Sequence, residues 1–159
     1  MGPDLSNVIS ISLALWVGGL SLFSFVVIPV SFRRLPKEEA GRFVGLLFPA
    51  VYRWAVIWGT VTVISLFPVF LRRHFAARSL AIEIPIGVML LLCLHSAYIL
   101  QPQIQDLRRR MALPEFQGTA HLDKLRFSFG RLHRRSVQLY GLILVLGWFS
   151  LGLLPRFLR

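Results

Sequence analysis

The chain has 159 residues, 55% of them apolar, with a net charge of +11 and a mean hydropathy of +0.66. The length fits a single domain, residues 1–159, and the hydropathy excludes an ordinary soluble domain of that size. Lys and Arg fall in short clusters between long apolar runs, the pattern of membrane loops; anionic lipid headgroups, and not nucleic acid, are therefore the expected partner of the charge.

The first apolar run, Val8 to Val30, holds 23 residues without a charge, enough for the ~20 that cross a ~30 Å hydrocarbon core. It is longer than the apolar part of a secretory signal, and no Lys or Arg precedes it, so it is expected to stay attached. Ser10, Ala14 and Gly18 recur at every fourth position and predict a small face against which another helix packs. Arg33, Arg34, Lys37 and Arg42, with Glu38 and Glu39, form the first connection, where Pro36 opens a short helical turn. The second run, 45–71, is interrupted by Arg53, which lies near the inner boundary and can snorkel. A basic turn at 72–79 leads to a third span, 80–100, containing Glu83 and His95; the fourth, 136–155, is charge-free. Pro29, Pro49, Pro68 and Pro85 sit near span ends and predict kinks, not breaks. Trp54 takes an interfacial position, while Trp16, Trp58 and Trp148 read as packing residues.

Residues 101–135 are the longest polar stretch. Leu122, Leu125, Phe129 and Leu132 follow helical spacing after a bend at Pro114 and Gly118, with Lys124, Arg131 and Arg135 on the other side. Helices three and four are expected to extend past the membrane as a hairpin; a helix lying on the headgroups is the alternative. Segments 31–43 and 101–135 hold twelve Lys and Arg, against five in the segments on the opposite side. The positive-inside rule then places both termini outside. The expected fold is an all-α integral membrane four-helix bundle, N-out and C-out, with a cytoplasmic hairpin, in a plasma membrane of the bacterial inner-membrane type.

Ionisable groups inside lipid are costly, so each invites a functional reading. His95 lies roughly 22 Å below the outer end of helix three, and His133 sits three residues before helix four. With Tyr52 and Arg53 at the inner end of helix two and Ser136 opening helix four, they form a candidate binding set at the cytoplasmic mouth. One reading is an anion or polar-headgroup site; another is a b-type haem or a metal held by His95 and His133. The plain alternative has His95 bonding a neighbouring helix, His133 at the interface and Arg53 on a lipid phosphate. No span holds a second His and no HExxH or CxxC spacing occurs, so no cofactor is expected. Glu83, about one turn inside the outer boundary, reaches the interface or pairs with a Ser or Thr. Cys93, the lone cysteine, reads as a buried inert thiol. Catalytic sets of Ser, His and Asp, paired carboxylates and phosphate loops are missing from the sequence. A non-enzymatic role fits best: a small transporter, ligand-binding or accessory subunit, with a membrane-protein partner or a second copy of the chain.

The chain also resembles the transmembrane protein 205-like family, on Trp16, Gly18 and Gly19, then Pro29, Phe32, Leu35, Pro36, Ala40 and Gly41, and Leu47-Phe48-Pro49 with Tyr52. A second block, Phe129, His133 and Ser136, follows that family's FxxxHxxS pattern, with Tyr140 where an Asn is usual. The resemblance implies a four-helix membrane protein, and the expected topology puts its motif residues Pro49, Tyr52, His133 and Ser136 on the same inner side as Arg53 and His95.

Overall fold

The computed structural model describes residues 3–73, 77–114 and 120–158, all helical or in short connections, with no strand among them. Helix α1 is Pro3–Leu22, α2 Ile28–Arg34, α3 Lys37–Arg73, α4 Ala77–His95, α5 Gln101–Met111 and α6 Ala120–Leu158. Four stretches, 4–34, 37–71, 80–111 and 121–157, are long and apolar enough to cross a membrane. In the bundle α1 packs on α3, α3 on α4, α4 on α6 and α6 back on α1, closing a four-membered ring.

Each helix outruns its apolar run. Pro36 precedes the first turn of α3, where Glu38 and Glu39 meet the positive end of the helix dipole and the Ala40 N–H donates to the Pro36 carbonyl at 2.9 Å. The expected short turn after Pro36 is thus the start of one helix that continues through Pro49 and Pro68. Likewise α6 runs unbroken from the amphipathic stretch into the fourth span, with Leu122 and Leu125 buried and α5 packed alongside. Residues 74–76, in the middle of the expected basic turn, and Gly118 lie outside the described residues.

Two helices are interrupted by a π turn. Phe23–Val27 joins α1 to α2 and Ser96–Leu100 joins α4 to α5; each closes with a five-residue bond, from the Ile28 N–H to the Phe23 carbonyl and from the Gln101 N–H to the Ser96 carbonyl. In both cases the next residue is a proline, Pro29 or Pro102. A proline lacks the backbone donor and crowds the carbonyl four residues back, and a widened turn just before it relieves that crowding.

Apolar burial between helices is not driven by water inside a bilayer, so close packing and hydrogen bonds hold the ring together. Ile9, Leu13, Trp16, Val17 and Leu20 form the buried face of α1. Trp16 packs against Gly59 of α3, where an added Cβ would come within 2.8 Å of the indole. Beside it Thr62 Oγ1 lies 3.0 Å from Ser12 Oγ and 2.8 Å from the Trp58 carbonyl, its one proton shared between the two acceptors. Serines elsewhere return to their own helix, as Ser21 does to the Val17 carbonyl at 2.7 Å.

The small ridge of Ser10, Ala14 and Gly18 is not this packing face. Ala14 and Gly18 are exposed, and a methyl at Gly18 would meet nothing within 4 Å. The larger side chains offer more contact area, and they turn the small ones outward. Trp148 is likewise on the outer surface, 56% exposed, whereas Trp16 is fully buried. Cys93 is buried in the core beside the Trp16 indole, as expected of an inert thiol.

Candidate functional site

Helix α2 packs on α3, and α5 packs on α6. Between these two pairs, at the end of the bundle that carries most of the charge, lies a groove of about 790 Å³. The two residues that close the π turns, Ile28 and Gln101, both line it. On α5 the groove is lined by Gln101, Ile104, Arg108 and Met111, a helical spacing of three, four and three that puts a cation on an inward face. On α6 it is lined by Phe129, His133, Ser136 and Val137, and on α3 by Lys37, Glu38, Gly41, Arg42, Val44, Gly45 and Phe48.

The two pairs are bridged from α5. Gln105 Nε2 donates to the Gly45 carbonyl at 2.9 Å, and Arg108 donates weakly to the Gly41 carbonyl at 3.4 Å. The Arg108 guanidinium occupies the space a side chain would fill at Gly45, so this contact requires glycine there. It also stacks over the Phe129 ring, 5.4 Å from its centroid, and Phe129 lies parallel to the His133 imidazole at 5.8 Å. Three cations, Lys37, Arg42 and Arg108, thus line the groove against one carboxylate, Glu38. Among the described residues none of the three cations forms an ion pair; Asp106 pairs with Arg110 at 2.8 Å instead. Arg108 and His133 lie in the charged parts of the third and fourth long helical stretches, outside their apolar runs 80–100 and 136–155. Partial burial, and then the Arg108 charge, hold the His133 imidazole below its ordinary value.

Beneath the groove is an aromatic floor. Phe48 meets Phe23 edge-on at 5.1 Å and Tyr140 at 5.9 Å, and stacks on Tyr52 at 6.0 Å. The Tyr140 hydroxyl donates to the Leu20 carbonyl at 2.7 Å, tying α6 to α1. The Tyr52 hydroxyl is fully buried, with the Ser96 and Ser136 hydroxyls beside it. Neither Tyr52 nor Ser96 attains the geometry of a formed hydrogen bond. Ser96 also opens the second π turn, which places that turn beside the Tyr52 hydroxyl.

Of the five residues singled out in the sequence, the groove gathers His133 and Ser136 on its wall, and Tyr52 lies buried beneath, beside Ser136. Arg53 and His95 are exposed and do not line it. Helical geometry explains the split. Arg53 follows Tyr52 by one residue and His95 precedes Ser96 by one, so each is turned about 100° from its buried neighbour. Arg108, Arg42, Lys37, Gln105 and Gly45 were not singled out. The available signal was Arg108 sharing a face with Ile104 and Met111. Glu83 lies far from this site, among Val63, Leu66, Phe67, Phe70, Ile86 and Gly87 in a small cavity of about 130 Å³.

A family model described as a domain of unknown function (DUF4149) matches residues 11–112, covering the first three spanning helices and α5. No curated protein and no solved structure matches the chain.

Proposed function

The chain belongs to the DUF4149 family, whose shared domain has no known function, and from that premise we propose that it is a non-enzymatic membrane protein that binds an acidic, partly apolar ligand in the groove between α2/α3 and α5/α6. The observation that carries this reading is the groove itself: three unpaired cations beside apolar walls from Ile28, Val44, Phe48, Ile104 and Val137. Of these cations Arg108 is half-buried without a carboxylate partner and so poorly compensated, while Lys37 and Arg42 are exposed, and an anion would complete the site. A small transporter, ligand-binding or accessory subunit would use such a site.

In this reading the membrane is a bacterial inner membrane. The excess of Lys and Arg at the groove end supports N-out and C-out, with the groove opening at the cytoplasmic face. Kinship with the transmembrane protein 205-like family is supported by Phe48, Pro49, Tyr52, Phe129, His133 and Ser136, most of which meet at the groove and its floor.

The test is thermal stability of the purified protein in a neutral detergent, with dodecyl phosphate or dodecyl phosphocholine added. Dodecyl phosphate is expected to raise the Tm and dodecyl phosphocholine to leave it unchanged, with the effect lost in Arg108→Gln. Equal responses to the two amphiphiles, or an undiminished response in the variant, would sink the reading.

A further inference from the structure

The groove straddles two environments. Ile28, Phe48 and Val137 belong to the apolar spans, whereas Arg42, Arg108 and His133 belong to the charged segments beyond them. It also reaches the outer surface of the bundle: Phe32 of α2 and Val137 of α6 both line it and are 46% and 55% exposed, so its apolar wall is accessible from outside along these two helices. A ligand arriving from water would meet the cations first; one arriving sideways would find an apolar entry with the cations above it.

We infer that the ligand is a two-chain anionic phospholipid of the surrounding bilayer, entering past Phe32 and Val137 with its phosphate on Arg108 and Arg42 and its chains along the apolar wall. This rests on the groove being the binding site and adds the identity of the occupant. The charge argument is specific to that chemistry: a zwitterionic headgroup would bring a cation of its own to a site that already holds an excess of them. Arg108 is placed for the task, because Phe129 and Gly45 fix its plane while its remaining N–H groups have no acceptor among the described residues. From Phe129 to Ser136 the groove follows α6 for about 10 Å, longer than a lone phosphate and suited to a headgroup with its glycerol.

Native mass spectrometry of the protein released from detergent, with equal amounts of dioleoyl phosphatidylglycerol and dioleoyl phosphatidylcholine, tests this. Phosphatidylglycerol is expected to be retained about tenfold better by the wild type, a preference lost in Arg108→Gln, as removal of one charge-assisted contact implies. Val137→Trp, a change at an exposed position, should crowd the apolar wall and reduce retention while the helical circular dichroism is unchanged. Glycerol 3-phosphate binding as tightly as phosphatidylglycerol would overturn the lipid assignment in favour of a soluble anion. Equal retention of both lipids by wild type and variant would show an unspecific lipid shell and overturn it too. If dodecyl phosphate still stabilises the protein in that case, the groove reading stands and only the lipid falls; if it does not, both fall.

Discussion

Two places on α3 can be compared, because each is built on a glycine against which a large side chain from another helix rests. At Gly59 the visitor is Trp16, fully buried, and the surrounding groups close on it: the Ser12–Thr62 bond on one side and Leu90 of α4 on the other. At Gly45 the visitor is the Arg108 guanidinium, half-buried, bonded weakly to one carbonyl, and bordered by open space. The same device of a missing side chain serves helix packing in the first case and holds a charge over a groove in the second. Substitutions at the first site are therefore expected to read out as stability, and at the second as binding.

The sharpest way to break this comparison is Trp16→Ala. Truncating a fully buried aromatic forfeits its packing contacts and leaves a cavity, so the Tm in detergent should fall by far more than for Arg108→Gln; comparable losses would show the groove end to be equally structural. Next comes Gly45→Ala, which leaves no room for the guanidinium in its present place. It should weaken dodecyl phosphate binding about tenfold, equivalent to ~1.4 kcal/mol, with helicity by circular dichroism unchanged. A Tm loss as large as that of Trp16→Ala would contradict the distinction.

Smaller still is the Ser12–Thr62 bond. Hydrogen bonds between membrane helices average about 0.6 kcal/mol, so Thr62→Val should lower the Tm only slightly, and adding Ser12→Ala should cost little more. The least effect concerns His133. Its folded-state value lies below its unfolded one, so the unfolded chain takes up the proton first as pH falls below about 6.5, and the fold loses stability there. Above that window the imidazole is neutral in both states and the contribution is fully present. His133→Gln should flatten this part of the Tm profile between about pH 5 and pH 8, and bound dodecyl phosphate should flatten it as well by offsetting the Arg108 charge.

The four spans were legible because an apolar run of sufficient length leaves few other structures open. Their true ends were not, since α3 and α6 carry on into charged sequence where the hydropathy signal vanishes but the helix hydrogen bonds do not. Ser10, Ala14 and Gly18 misled, because a regular spacing of small residues says that a close approach is permitted there and not that one occurs. A small part of the groove was readable from residues: His133 and Ser136 were found through motif and position. Arg108 was counted with its neighbours Arg109 and Arg110 as loop charge, since only the packing of α5 on α6 tells which of three consecutive arginines points inward.

The paired π turns have a consequence for how this chain tolerates gain or loss of a residue. Each turn holds one residue more than the α-helical path needs. Deleting one residue from 96–100 would remove that surplus, and ordinary helical pitch would carry α5 onward in its present phase, with Arg108 still at Gly45. The turn thus makes the angular setting of the charged end indifferent to the loss of one residue there, whereas losing one from within α5 would swing all that follows it through about 100°. Loss of one codon there would straighten the helix without re-aiming the groove.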